Sequence, residues 1–256
     1  MQTRLSTRPR VSQCAGLQGR VQRRVVRANV SSVAVDSDLK KVLLRHVAGI
    51  DRGQVATESQ KQEIEMVISQ LEASQAPMSE QLEVQEALQG KWQLVYTSVE
   101  AFRSSPFFWA FQEGLVGSEE LASAIFKFTD AIPGATVGQA FQTFDFNTGE
   151  CVSEVDLEVF PGAKGCVVTT STVRCSTPPT CLVLTVENTR VARSNLLPFL
   201  LDSVVVPVKD VVEAVRGRGK TAVSADMTFL DGELRVARTR PDGAIFVYRK
   251  VAAPLL

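Results

Sequence analysis

The chain has 256 residues, with 28 basic and 28 acidic side chains, one histidine and five cysteines. A lone histidine removes most nucleophile–base pairs and most zinc sites, and balanced charge argues against a nucleic-acid partner. No apolar run reaches the ~18 residues that a membrane-spanning helix requires.

The charge is unevenly placed. Residues 1–32 hold seven arginines and neither lysine nor acid, and the first acid is Asp36. That is the composition of an organelle import peptide, and it lacks the apolar centre of a secretory signal. With those seven arginines set aside, 21 basic residues face 28 acidic ones, a net of −7. Such a body meets a membrane through apolar surface rather than through charge. The expected organisation is a targeting peptide over 1–32, a helical segment over 33–87 and a β domain over 88–256.

Two helices are predicted first. Over 39–50, Leu39, Val42, Leu43, Val47 and Ile50 share one side, and Arg52-Gly53 ends the run. Over 58–74, Ile64, Val67, Ile68 and Leu71 form the amphipathic stripe. Thr57 with Gln60 makes a capping box, and Pro77 is the stop signal. Strands follow over 90–98, 139–146 and 151–160. In the last of these, Ser153, Val155, Leu157 and Val159 point one way, while Glu154, Asp156 and Glu158 make a solvated outer face. Further strands are expected over 165–174 and 181–189, divided by Ser176-Thr177-Pro178-Pro179. A strand over 220–230 leads into a closing meander, with turns at Asp231-Gly232 and Pro241-Asp242-Gly243 and a last strand over 244–250. About eight strands are enough to close a barrel around one small apolar ligand. Phe144, Val155, Leu157, Met227 and Phe229 are the expected lining.

Two insertions break the strand pattern. Residues 102–115 crowd Phe107, Phe108, Trp109 and Phe111 together, and residues 195–215 contain Leu197, Phe199 and Leu200 in an almost wholly apolar run. They read either as core covering one barrel end or as a lid that meets lipid.

Catalytic signatures are missing. There is no Gly-x-Ser-x-Gly elbow. Gly219-Lys220-Thr221 lacks the earlier glycine of a phosphate loop, because that position is Ala214. Cys14 lies in the import peptide. Cys151, Cys166, Cys175 and Cys181 have no Cys-x-x-Cys spacing, so they read as reduced thiols in or beside strands, with a regulatory disulfide as the alternative. No catalytic residue, metal or cofactor is expected.

The residues that open and close the sheet carry a resemblance. Leu88, Gly90, Trp92, Leu94, Tyr96, Thr97 and Ser98 match an L-x-G-x-W-x-L-x-Y-T-[TS] strand. Asp231, Leu234, Arg235, Val236, Arg238, Gly243, Ile245, Phe246 and Val247 match a D-x-x-L-R-[IV]-x-R…G-x-[IL]-F-V run, with Thr239 where glycine is common. Arg52-Gly53 and Ile68-x-x-Leu71-Glu72-Ala73 fit the segment that precedes them. Together these resemble the plastid lipid-associated proteins, or fibrillins, over roughly residues 39–251. The resemblance implies a mainly β fold: a lipocalin-like antiparallel β-barrel with an N-terminal helical segment. Trp92 would plug one end beneath Arg235 or Arg238, and Gly90, Tyr96 and Asp231 would complete the structural motif. It also implies a chloroplast protein at plastoglobules, thylakoids or in the stroma, handling prenylquinones, carotenoids or similar apolar lipids without catalysis. The alternative is an interaction module that supports a prenyl-lipid biosynthetic enzyme.

Overall fold

Residues 36–46 form helix α1 in this computed structural model, which describes residues 36–99, 136–158, 162, 164–195, 205–216, 221–240 and 242–252. The expected import peptide lies outside the described residues. Helix α1 ends earlier than the apolar spacing predicts. Val47 and Ile50 stay buried, but on a turn in which Gly49 has φ +77°. A 3-10 turn over Asp51–Gly53 follows, and Arg52 donates from Nη2 to the Val137 carbonyl at 2.7 Å. Helix α2 runs Glu58–Ser74 with the anticipated capping box: the Thr57 side chain accepts from the Gln60 amide, and Gln60 answers to the Thr57 amide. Helix α3, Gln81–Leu88, is a third helix at the end of the segment, in which only two were predicted.

Nine strands follow among the described residues: β1 Gly90–Thr97, β2 Thr136–Asp145, β3 Glu150–Glu158, β4 Lys164–Cys175, β5 Cys181–Ala192, β6 Val205–Val206, β7 Ala222–Leu230, β8 Leu234–Thr239 and β9 Ile245–Lys250. Helix α4, Val208–Arg216, lies between β6 and β7. Eight of the strands pair antiparallel in the circuit β1-β2-β3-β4-β5-β7-β8-β9 and back to β1, and the two-residue β6 adds to the far half of β5. The predicted mainly β, eight-stranded antiparallel architecture is therefore present, as a closed ring.

Closure sorts most of the described core into two bodies, beside a small cluster of Cys166, Val168 and Ala192. The first draws on all eight ring strands, which only an interior face can do; it includes Trp92, Phe144, Cys151, Val173, Leu182, Val223, Ala237 and Phe246, with Val84 and Leu88 of α3 packed at one end. The second lies outside. There Leu43 of α1, Val47 and Ile50 of the turn after it, and Ile64, Ile68 and Leu71 of α2 cover Tyr96, Phe229, Leu234, Val236, Ile245 and Val247. Each such side chain removed from water contributes about 1.5–3 kcal/mol. That outweighs the partly exposed Glu72–Arg238 ion pair between α2 and β8, a contact class worth about 1 kcal/mol or less. The ion pair fixes register instead: Glu72 accepts from Arg238 Nε at 2.7 Å and from the Thr228 hydroxyl at 2.6 Å.

Gly53 is where helix turn and sheet meet. It has φ +96°, and a β-carbon there would stand 2.5 Å from the Thr97 carbonyl oxygen. Gly149, in the β2–β3 turn, has φ +73° but open space around it. Gly53→Ala is expected to cost about 3 kcal/mol or more, and Gly149→Ala about 1 kcal/mol, the left-handed backbone term alone. Urea unfolding of both variants checks this; equal losses would show that the Thr97 contact yields freely.

Candidate lipid-binding site

The interior is built by alternation. Trp92 and Leu94 of β1, Phe144 of β2, Cys151 and Val155 of β3, and Leu182 and Leu184 of β5 belong to the inner cluster, with Leu157 packed against it. Register pairs confirm the sharing of one face: Phe144 lies opposite Cys151, Cys151 opposite Ser171, and Val173 opposite Leu184. Of the predicted lining residues, Phe144, Val155, Leu157 and Met227 are on this inner side. Phe229 is not, and the expectation is corrected. A bulge between Met227 and Phe229 inserts one residue against β8, so two positions that strict alternation puts on one face end on opposite faces. Phe229 packs under α2 instead. A similar bulge between Leu94 and Tyr96 leaves Leu94 inside and sends Tyr96 out to the helices.

The end of the ring next to α3 is closed by charge and aromatic surface together. The Trp92 indole donates to the Leu88 carbonyl at 2.7 Å, and the Lys250 ammonium donates to the Ala87 carbonyl at 3.0 Å. Both acceptors are in the last turn of α3, where carbonyls have no helical partner and a cation is favoured. The Lys250 ammonium also stands 5.1 Å from the Trp92 ring.

Beneath this cap sits Arg235, only 1% exposed. Its guanidinium carbon lies 3.9 Å from the centre of the Tyr248 ring, 4.8 Å from Phe144 and 5.3 Å from Trp92. Three ring faces supply the partial negative charge that the cation seeks. Nη2 donates to Gln142 Oε1 at 2.6 Å, while Nε has no hydrogen-bond partner among the described residues. Burial pushes the guanidinium down to about 10, opposed by Tyr248 and Cys151. Between the two arginines named from sequence, Arg235 is the one over Trp92. Arg238 faces outward to Glu72.

The remaining predicted positions have plain structural surroundings. Gly90 begins β1 at φ +107°. Asp231 Oδ1 accepts from the Glu233 and Leu234 amides, each at 2.7 Å, which builds the β7–β8 turn, and its Oδ2 holds the Lys40 ammonium of α1 at 2.8 Å. Phe107, Phe108, Trp109, Phe111, Leu197, Phe199 and Leu200 lie outside the described residues.

Outside the ring, Glu154 and Asp156 take the Arg193 guanidinium at 3.1 Å each, and Glu154 also takes Lys91 at 2.7 Å. Burial works against the Glu154 charge, yet Lys91 and Arg193 hold its carboxyl below the usual range. This is the outer face expected of β3. A concavity of about 830 Å3 lies where α1 meets strands β1, β8 and β9, lined by Leu44, Leu234, Lys40, Lys91, Arg249 and Lys250. Among the described residues, no group of three or more His, Cys, Asp or Glu could hold a metal, and no helix is long and apolar enough to cross a membrane.

Ring, end-capping helix and Gly-x-Trp opening strand define a mainly β protein whose antiparallel strands form a ring-like sheet. The PAP_fibrillin family profile matches residues 37–249, so the chain belongs to the PAP/fibrillin family of plastid lipid-associated proteins. A curated relative is the chromoplast-specific carotenoid-associated protein C2 of an Oncidium hybrid cultivar, 45% identical over 64 residues. That stretch is 25% of this chain and covers only 20% of the relative's length. No solved structure matches the chain.

Two outcomes follow from this packing. Trp92→Ala empties the ring end and releases the Leu88 carbonyl, so it is expected to destabilise the fold by about 3–5 kcal/mol; unchanged urea unfolding would remove the capping role. The four described cysteines are free thiols, and burial pushes Cys151 up to about 12 and Cys166 up to about 11. Iodoacetamide at pH 8, read by mass spectrometry, is expected to label half-buried Cys175 first and to reach Cys151 only after unfolding. Early Cys151 labelling would show that the ring opens readily.

Proposed function

We propose that this protein is a non-catalytic carrier or coat protein for apolar plastid lipids, prenylquinones or carotenoids among them, acting at plastoglobule or thylakoid surfaces. The observation that carries the reading is the ring interior: eight strands contribute one continuous apolar and aromatic face, with Phe144, Val155, Leu157 and Met227 on it. Such a face removes lipid hydrocarbon from water at about 25 cal/mol per Å2. The carotenoid-associated relative supports the same class of ligand. Contact with a droplet or bilayer is assigned to Phe107, Phe108, Trp109, Phe111, Leu197, Phe199 and Leu200, because residues beyond the arginine-rich segment carry excess acid.

Droplet flotation tests this. The purified chain is mixed with triacylglycerol droplets coated in galactolipid and spun through a density gradient, and lipids are extracted from floated and soluble fractions. Protein that floats, or that carries prenyl-lipid in solution, supports the proposal, and the fraction distinguishes coat from carrier. Protein that stays down without lipid rejects it in favour of docking on a lipid-biosynthetic enzyme.

A further inference from the structure

Outside the ring, the concavity where α1 meets β1, β8 and β9 collects positive charge. Its volume of about 830 Å3 is that of a small-molecule cleft. Four basic residues line it: Lys40, Lys91, Arg249 and Lys250. Two of them are matched, since Lys40 holds Asp231 and Glu233, and Lys91 holds Glu154. The other two have no carboxylate partner among the described residues. Arg249 is exposed, and its guanidinium makes only a long contact of 3.5 Å with the Gln93 side-chain oxygen. Lys250 rests on uncharged groups, the Ala87 carbonyl and the Trp92 ring, and burial pushes its ammonium below the ordinary lysine range. Both cations stand on a body that otherwise carries excess acid. Apolar side chains share the same cleft: Leu44 of α1, Leu234 of β8 and the exposed Val251. Leu44 and Arg249 also line a neighbouring concavity of about 650 Å3, with Val47, Val95 and Val137, so the apolar surface continues beyond Arg249.

We propose that this cleft binds a phosphate-headed lipid of net negative charge, its head at Arg249 and Lys250 and its chain on Leu44 and Leu234. The inference rests on reading the protein as lipid-handling, and it adds a second site, outside the ring, with a head chemistry that the apolar ligands above lack. Charge selects the head. An anion here meets cations on two consecutive residues, and the arginine fork takes two phosphate oxygens at once. Asp231 and Glu233, which take the Lys40 ammonium, put enough negative charge nearby to favour a head with one negative charge over two. A zwitterionic head brings its own cation back to the same place. Free phosphate leaves Leu44 and Leu234 in water. An acidic peptide meets the cations but lays backbone amides against those leucines, where unpaired polar groups are costly.

The test is equilibrium dialysis of the full chain, below micelle-forming concentrations, against radiolabelled tetradecanoyl lysophosphatidylglycerol and tetradecanoyl lysophosphatidylcholine. The two share chain and phosphate and differ in net charge. Wild type is expected to bind the anionic lipid about fivefold or more tighter than the zwitterionic one, with the preference shrinking as salt rises. Arg249→Gln, at an exposed position, is expected to remove most of that preference. Arg240→Gln takes the same charge from an arginine paired with Asp226, away from the cleft, and is expected to keep it. Glycerol phosphate at equal concentration is expected not to displace the lipid. Equal binding of the two lipids by wild type, or binding of neither, overturns the proposal. So does a preference that survives Arg249→Gln or is lost equally in Arg240→Gln. Displacement by glycerol phosphate reassigns the cleft to free phosphate, and tighter binding of hexaglutamate than of either lipid reassigns it to an acidic protein segment; both overturn it. None of these variants touches the ring interior, so droplet flotation judges the lipid reading separately.

Discussion

Everything in this molecule depends on the pairing of its first strand with its last. Trp92 lies opposite Lys250 and Thr97 opposite Phe246, so residues about 150 positions apart hold the ring shut. Without that ladder there is an eight-stranded sheet with two edges and no interior. With it, one face of every strand is withdrawn from water, and the other is left to be covered or charged. The helices take the covered part over β1 and β7 to β9, and the acids of β3 take part of the charged remainder.

The bulges decide which residues share in each face. Strict alternation would put Leu94 with Tyr96, and Met227 with Phe229, on one side. In both strands an extra residue reverses the phase part-way along, so a single strand feeds the ring interior at one point and the helix-covered exterior at another. This lets short strands bury hydrophobic residues on both faces. Strand β8 keeps plain alternation against β9: Arg235 turns in to the aromatic rings, while Arg238, three places on, turns out to Glu72.

Much of this was legible before any coordinates. The stripe and capping box of α2 are purely local signals, and helix and cap appear as read, ending at Ser74. The strands from β2 to β5 and the two turns of the closing meander were legible because alternation and Asp-Gly or Pro-Asp-Gly chemistry are local too. Helix α3 was not, because Gln81–Leu88 is short and held by Trp92 and Lys250 from elsewhere in the chain. The placement of Phe229 was missed for the same reason: a bulge is a relation between two strands, and nothing in Met227-Thr228-Phe229 announces it. At the site, the association of Trp92 with Arg235 was anticipated from the paired motifs. The absence of a counter-ion was invisible, since no sequence says which acid will fail to arrive.

The first-to-last ladder has a consequence for how the protein is made. During synthesis β1 emerges early, and its open edge waits until β9 leaves the ribosome. Contacts so distant along the chain form slowly, and a long-lived unpaired edge invites pairing with other chains. A protein delivered unfolded across an organelle envelope would meet the same delay a second time. Its biogenesis should therefore lean on chaperones that shield the edges of β1 and β8 until β9 arrives, and a chain interrupted even shortly before Ile245 should be prone to aggregate despite retaining most of its apolar core.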